Sequence, residues 1–571
     1  MAEETSGIVR MIGGDMVNTS TEMKLTATDG NYEIHSPAKI QISGEENGVV
    51  YGDYKADHKE DTLSNSINVN LNIFFDGTGN NKTNTESRDI NSPNHEAYKD
   101  IGNQFDDSFE NDYTNVARGF DAVDPNVENQ VRVYVEGMGT EDLKKDNSIP
   151  GVAFGKGDTG VPAKVTKGCL YAGNMMAEKG YAGKDIDYLF VNVYGFSRGA
   201  AAARHFLHVA SKMAEYSSPQ KVDDKISKYY IKTDYRFYDK DLVETHQFEL
   251  KLENTAFIDK YGYFGACLLK NKINPKFIIF NFVGLYDCVA SYGMGHDKNT
   301  EQLNLNSISK AKFIYHLASD DEYRKNFPLT NINSCGVKGI EFILPGVHSD
   351  IGGSYLDNNK EMSAVDSLVT YSGEESKKMA QESKDKDFDA FKKILVSEGW
   401  FTETQIQKEF FKEKEFIGFF TRAANQYIYG LVGRRTLSNS YDKIPLHLMV
   451  NQSKHFKVKY DESILKTLAI NDKFIKDIQN DIHHYVNACI NKRGEYIDSI
   501  EKGTGSLESF ATSYISDVKQ LHYKNFMELA DLKKLRNKYL HWSVKSNFVG
   551  LGPKNSGSLK EELRKRHTYH G

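Results

Sequence analysis

The residues Tyr194-Gly195-Phe196-Ser197-Arg198-Gly199-Ala200-Ala201-Ala202-Ala203 place a serine between two glycines, each two positions away. An apolar run precedes this segment and an Ala-rich, helix-forming stretch follows it. That is the strand–turn–helix setting in which a serine oxygen can project from a strained turn as a nucleophile. Glycine is required at 195 and 199 because side chains there would collide with the neighbouring strand and helix. The first helical N–H, that of Arg198, is a candidate oxyanion donor. A serine hydroxyl needs a base, and the base needs an orienting carboxylate. Phe282-Val283-Gly284-Leu285-Tyr286-Asp287 sets Asp287 just past an apolar run, and Leu344-Pro345-Gly346-Val347-His348-Ser349-Asp350 sets His348 just past another. Ser197, Asp287 and His348 thus follow the hydrolase order Ser…Asp…His. Competing roles are a helix cap for Asp287 and a structural loop histidine for His348. Asp350 could replace Asp287 as orienter, or cap the Ile351-Gly352-Gly353 turn.

A second loop, Phe74-Phe75-Asp76-Gly77-Thr78-Gly79-Asn80-Asn81, also follows an apolar run. Its glycines free the backbone to approach a ligand, so Asp76, Gly77, Thr78 and Gly79 are candidates for a second oxyanion donor; a tight turn capped by Asp76 is the competing reading. A D-x-D-G-T phosphatase nucleophile would need an aspartate at position 74, where Phe74 stands. Glu136-Gly137-Met138-Gly139-Thr140 and Gly155-Lys156-Gly157 lack the G-K-[ST] of a Walker loop, and H-E-x-x-H is absent. The five cysteines are widely spread with no C-x-x-C, which excludes a disulfide scaffold and a Cys-based zinc site. No metal and no organic cofactor is expected.

Such residues need strands to position them. Ile67 to Phe75, Val131 to Val135, Ile186 to Tyr194, Phe277 to Val283 and Ile340 to Leu344 read as strands alternating with helix-compatible stretches. That pattern predicts an α/β fold with a mostly parallel sheet, in which ligands bind outside the carboxyl ends of the strands. Residues 66–356 are therefore the expected catalytic core. Residues 357–571 are richer in charge and helical composition and are expected to form a mainly helical part, a lid or membrane-facing region packed on the core; Glu374 to Lys386 reads as an exposed, charged helix. Residues 1–65 carry short alternating segments such as Met23–Thr28 and Ala38–Ile42, separated by turns, with too little apolar mass for a core of their own. They read as a β-rich element that pairs with something else, or as a surface hairpin of the main domain.

The chain has 571 residues, with 72 Lys+Arg against 79 Asp+Glu, a net charge of −7. This mildly acidic balance carries no electrostatic footprint for nucleic acid. A mean hydropathy of −0.56 accompanies the lack of any apolar run long enough to span a bilayer. The start, Met1-Ala-Glu-Glu-Thr-Ser-Gly, has neither a charged n-region nor an apolar h-region, so synthesis in the cytoplasm without a Sec-type signal is expected.

Taken together, the Phe74–Asn81, Gly195–Ala200, Val283–Asp287 and Pro345–Gly353 motifs resemble the Tle1 phospholipase effectors of type VI secretion, within the wider DUF2235 α/β-hydrolase group. The resemblance spans roughly residues 68–450 and includes Ile444-Pro445-Leu446-His447-Leu448-Met449. Tyr286 and Cys288 stand where a Trp and a Thr are usual; both flank Asp287 without replacing it. The resemblance implies an α/β-hydrolase-like sheet with helical insertions and a triad of Ser197, Asp287 and His348. It also implies hydrolysis of membrane phospholipid acyl esters, export by type VI secretion to the target-cell membrane, and a cognate immunity protein. Residues 1–65 are the expected docking element for a VgrG-like spike protein. Alternatives are a serine esterase or thioesterase acting on a non-membrane acyl ester, or a catalytically silent spike-binding module. A phospholipid substrate also calls for an apolar, basic-rimmed face. Phe410-Phe411, Phe416–Phe420 and Tyr427–Tyr429, interleaved with Lys412, Lys414, Arg422, Arg434 and Arg435, offer one, with a core helix as the plainer reading.

Overall fold

The computed structural model describes residues 66–102, 107–146, 159–213, 255–290, 299–412, 426–544 and 564–571, with short pieces between them. The expected docking element, residues 1–65, lies outside the described residues, as does 413–425 with its Phe416–Phe420 cluster.

Six parallel strands form the central sheet: β1 (Ile67–Phe75), β2 (Gln130–Val135), β3 (Ile186–Phe196), β4 (Phe277–Tyr286), β5 (Phe313–Ser319) and β6 (Gly339–Leu344). Their order is β6-β5-β4-β3-β1-β2. The chain moves outward from β1 to β2, then returns to the other side of β1 and continues from β3 to β6. The direction of winding reverses between β1 and β3, and such a switch point opens a crevice at the carboxyl ends of the strands. Burial on both faces explains the near-continuous apolar runs. Leu71, Ile73, Phe75, Val191, Val193 and Leu285 face one core, where helices α2 (Val161–Glu178), α3 (Arg198–Val209) and α4 (Thr255–Lys270) pack. Phe74, Tyr194, Phe196, Phe282, Tyr315 and Leu344 face a second, aromatic core shared with helix α1 (Asn115–Ala122) and much of the chain after residue 360. Four buried alanines, Ala200 to Ala203, suit α3 both as helix formers and as small residues that let it lie close on the sheet.

β5 was not anticipated from the sequence. It is buried at every position, and His316 interrupts its apolar run. The histidine is satisfied inside: Nδ1 meets Glu341 at 2.8 Å and Nε2 accepts the Cys288 N–H at 3.1 Å. The final turn of the core is helix α5 (His348–Gly352), directly after the β6 loop.

Beyond the core, the expected charged helix is α6 (Glu374–Ser397), which buries Ala380, Phe388, Phe391 and Leu395 on one face. It packs on an antiparallel sheet that the sequence reading did not foresee: β7 (Asn359–Tyr371), β8 (Ile406–Phe411) and β9 (Gln426–Leu437), in the order β7-β9-β8. Phe410, Phe411 and Tyr427–Tyr429 therefore sit on strands, with Phe411, Ile428 and Tyr429 buried. Arg434 pairs with Glu409, and Arg435, itself buried, pairs with Glu361, so both of these basic residues have acidic partners. Helices α7 (Lys443–Lys454), α8 (Lys473–Glu501), α9 (Leu507–Gln520) and α10 (Leu529–Lys538) complete this part. Among the described residues, no helix is long and apolar enough to cross a membrane.

Candidate active site

Ser197 occupies the sharp turn between β3 and α3, with φ 58° and ψ −127°. A non-glycine residue there stores roughly 1–3 kcal/mol of backbone strain and persists only where its surroundings enforce it. Here the enforcement is visible. A Cβ on Gly195 would lie 2.2 Å from the Gly199 carbonyl oxygen, and one on Gly199 would lie 2.3 Å from the carbonyl oxygens of both Phe75 and Asp76. The Ser197 N–H donates to Tyr286 O at 3.0 Å, and its carbonyl accepts the Val289 N–H at 3.3 Å. The turn is thus clamped between the ends of β1 and β4.

Asp287 follows β4 with φ 44°, and its N–H donates to Leu317 O at 2.7 Å. Its side chain is fully buried and receives the Ser319 N–H at 2.8 Å, the Ser319 hydroxyl at 3.1 Å, and His348 Nδ1. Arg566 grips both carboxylate oxygens. Burial alone would raise this carboxyl group; Arg566 and His348 outweigh it and hold it well below the usual carboxylate range. His348 opens α5. Its ring lies between Phe196 (centroids 4.7 Å apart) and the edge of Phe327 (5.1 Å), and the main-chain N–H of His348 donates to Glu322 at 3.3 Å. Burial pushes the imidazole down from its ordinary value despite Asp287, which favours the neutral, proton-accepting form at neutral pH.

Asp350 does different work. One oxygen accepts the Val347 N–H at 2.9 Å and the His541 N–H at 3.1 Å, while the other meets His541 Nδ1 at 2.8 Å. It closes the start of α5, rather than the turn after it, and anchors the chain at His541.

Among the loop candidates, Asp76 is buried and its carboxylate is internal. It accepts the Gly77 N–H at 2.7 Å, the Thr114 hydroxyl at 2.7 Å and the Tyr134 hydroxyl at 2.6 Å. Burial outweighs these bonds and pushes the carboxyl up to about 6. The Gly77 N–H is engaged by that side chain, and the Gly79 N–H donates to Met138 O at 3.1 Å. Thr78 differs: its Oγ1 is buried without a hydrogen-bond partner. The loop lies against the elbow, since a Cβ on Gly77 would come within 2.4 Å of the Phe196 ring. Arg198 is the first residue of α3, so its N–H lies at the positive end of that helix. Ser319, Glu322, Phe327 and Arg566 were not anticipated. Ser319 ends the strand that His316 concealed, and Arg566 lies 279 positions from the carboxylate it grips, so no local spacing announces it.

A family model described as "T6SS, Phospholipase effector Tle1-like, catalytic domain" matches residues 70–372, a span that carries Ser197, Asp287 and His348. Among solved structures, a Tle1 effector bound to the VgrG spike of the type 6 secretion system is 16% identical, with 89% of this chain and 94% of that chain covered and a TM-score of 0.49. An uncharacterized protein from Pseudomonas aeruginosa is 18% identical over 51% of this chain and 42% of its own, with a TM-score of 0.27. No curated protein matches the chain. By the family match, the chain belongs to the Tle1-like phospholipase effectors of type VI secretion.

Proposed function

We propose that the chain is a serine hydrolase that cleaves acyl esters of membrane phospholipids, as a phospholipase A, after delivery into a rival cell. The observation that carries this reading is the buried His348–Asp287 pair, whose imidazole lies against the ring of Phe196, the residue before a serine held at positive φ on a strand-to-helix elbow. Ser197 Oγ attacks the acyl carbonyl while His348 takes its proton. The tetrahedral oxyanion is held by the Arg198 N–H and by the Thr78 end of the Asp76–Gly79 loop. His348 then protonates the departing lysophospholipid alkoxide, and a water repeats the sequence to release the fatty acid and restore Ser197. Asp287 stays ionised throughout and stabilises the imidazolium.

The test is fatty-acid release from phospholipid vesicles by the purified chain, with positional analysis of the lysophospholipid product. Release that Ser197→Ala abolishes supports the reading, and no release from any phospholipid overturns it. Delivery is proposed to run through residues 1–65 docking on a VgrG-like spike protein, with an immunity protein guarding the producing cell. Deleting these residues should abolish spike binding and leave ester hydrolysis intact; loss of hydrolysis would assign them to the enzyme core.

A further inference from the structure

Arg566 is remote in sequence from the site, yet its side chain is only 6% exposed and its guanidinium forks onto Asp287, Nη1 on Oδ1 and Nη2 on Oδ2, the latter at 2.9 Å. Further donors are committed too: Nε reaches Phe327 O at 2.8 Å and Nη1 reaches the Ser319 hydroxyl at 2.9 Å. The segment bearing it is stapled to the core. Thr568–Tyr569 runs parallel to Leu329–Thr330, the Leu329 N–H donates to His567 O at 2.8 Å, and the Asn331 N–H donates to Tyr569 O at 3.1 Å. The stretch it holds carries Phe327, whose ring meets the His348 imidazole on one side while the Arg324 guanidinium lies 3.4 Å over it. One segment therefore fixes both the carboxylate and a wall of the imidazole slot.

We infer that Arg566 is a positioning residue for the triad, holding the Asp287 carboxylate in the plane that serves His348. The inference rests on the Ser–His–Asp reading above. A fully buried carboxylate is costly unless a cation and hydrogen bonds compensate it, and a bidentate guanidinium supplies both charge and a fixed plane. Around His348 the charged groups are Asp287 and Glu322, both anionic, and Arg324 and Arg566, both cationic; Asp350, on the same helix, is engaged by His541. Removing Arg566 deletes one of the two cations that oppose protonation of the imidazole.

The experiment is the pH dependence of kcat/KM for the full chain on a soluble short-chain nitrophenyl ester. Arg566→Gln should lower kcat on the order of 10²-fold through misplacement of the acid–base pair. Its acid limb should move up by about one pH unit, because an imidazolium freed of the cation is better stabilised. Arg566→Lys keeps the charge but not the fork: the limb should stay at the wild-type position while kcat falls less. Wild-type rate and limb in Arg566→Gln, or a lowered rate with an unmoved limb, overturns the inference. Should the Gln variant fold poorly, a moved limb in the folded Lys variant overturns it as well. Wild-type-like hydrolysis by Ser197→Ala, measured alongside, would instead overturn the triad reading itself.

Discussion

Ser197 is held by main chain pressed against main chain, whereas Asp287 and His348 are held by side chains gathered from distant stretches. On the nucleophile side, Gly195 and Gly199 permit contacts that a single methyl group would abolish, and Ser197 itself is tied by its N–H and C=O to the end of β4 and the residues just after it. On the acid–base side, the contacts are hydrogen bonds and charges from Ser319, Glu322 and Arg566, with Tyr441 bracing Pro345 O at 2.8 Å and Asp321 accepting the Gly346 N–H at 2.8 Å. Steric positioning is blind to pH and salt and fails when a Cβ is added. Electrostatic positioning titrates, and it fails when a charge is removed. The two halves should therefore break in different ways.

The largest effect is expected from Ser197→Ala, which removes the atom that forms the covalent intermediate; kcat should drop on the order of 10⁶-fold in a folded protein. His348→Ala should be nearly as severe, and the double variant little worse than either, because nucleophile and base act as one unit. Substantial residual turnover in either single variant would mean that the halves act independently. Next comes Asp287→Asn, which leaves nucleophile and base in place but spoils the tautomer, at a cost of about 10⁴-fold. In the wild type, burial holds His348 below its ordinary value, so the acid limb of kcat/KM should lie below about pH 6.5. A limb above that value would show that Asp287 outweighs burial.

The nucleophile half can be broken with no change of charge. Gly199→Ala adds a methyl group 2.3 Å from two carbonyl oxygens, so α3 and the Asp76 loop must part. A displacement near 1 Å at the elbow costs on the order of 10²-fold in kcat. The pH limb should not move, because no group facing His348 has changed. A moved limb in Gly199→Ala would show that the two halves share their positioning after all.

The same division explains what the sequence disclosed. The elbow was legible because its determinants are contiguous: an apolar strand, two glycines at fixed spacing, then four alanines. Asp287 and His348 were legible because both follow strands whose apolar runs are plain. β5 was hidden by His316, a polar residue whose partners, Glu341 and the Cys288 N–H, come from other strands. Arg566 was beyond reach for the same reason: an ion pair across 279 positions leaves no local pattern. The sequence offers Asp76 two roles, as part of a glycine-rich oxyanion loop or as the cap of a tight turn. Its three internal donors make its side chain a bracket between β1, α1 and β2, with Thr78 left facing no protein partner through Oγ1.

The smallest effect is expected at Asp350, the other carboxylate considered as orienter of His348. In Asp350→Asn the retained oxygen can keep the Val347 and His541 N–H groups, since one oxygen accepts both. The new amide NH₂ would then face His541 Nδ1, which must become an acceptor. That change of tautomer moves the proton to His541 Nε2, which is buried without a partner in either form. The net loss should be about one neutral hydrogen bond, about 1 kcal/mol of stability, read as a small fall in Tm. Activity should stay within about tenfold of wild type, the equivalent of about 1.4 kcal/mol. If Asp350→Asn proved crippling while Asp287→Asn was harmless, the orienting acid would be Asp350. The division between a steric and an electrostatic half would then survive, but with His541 and not Arg566 as the partner that fixes the acid.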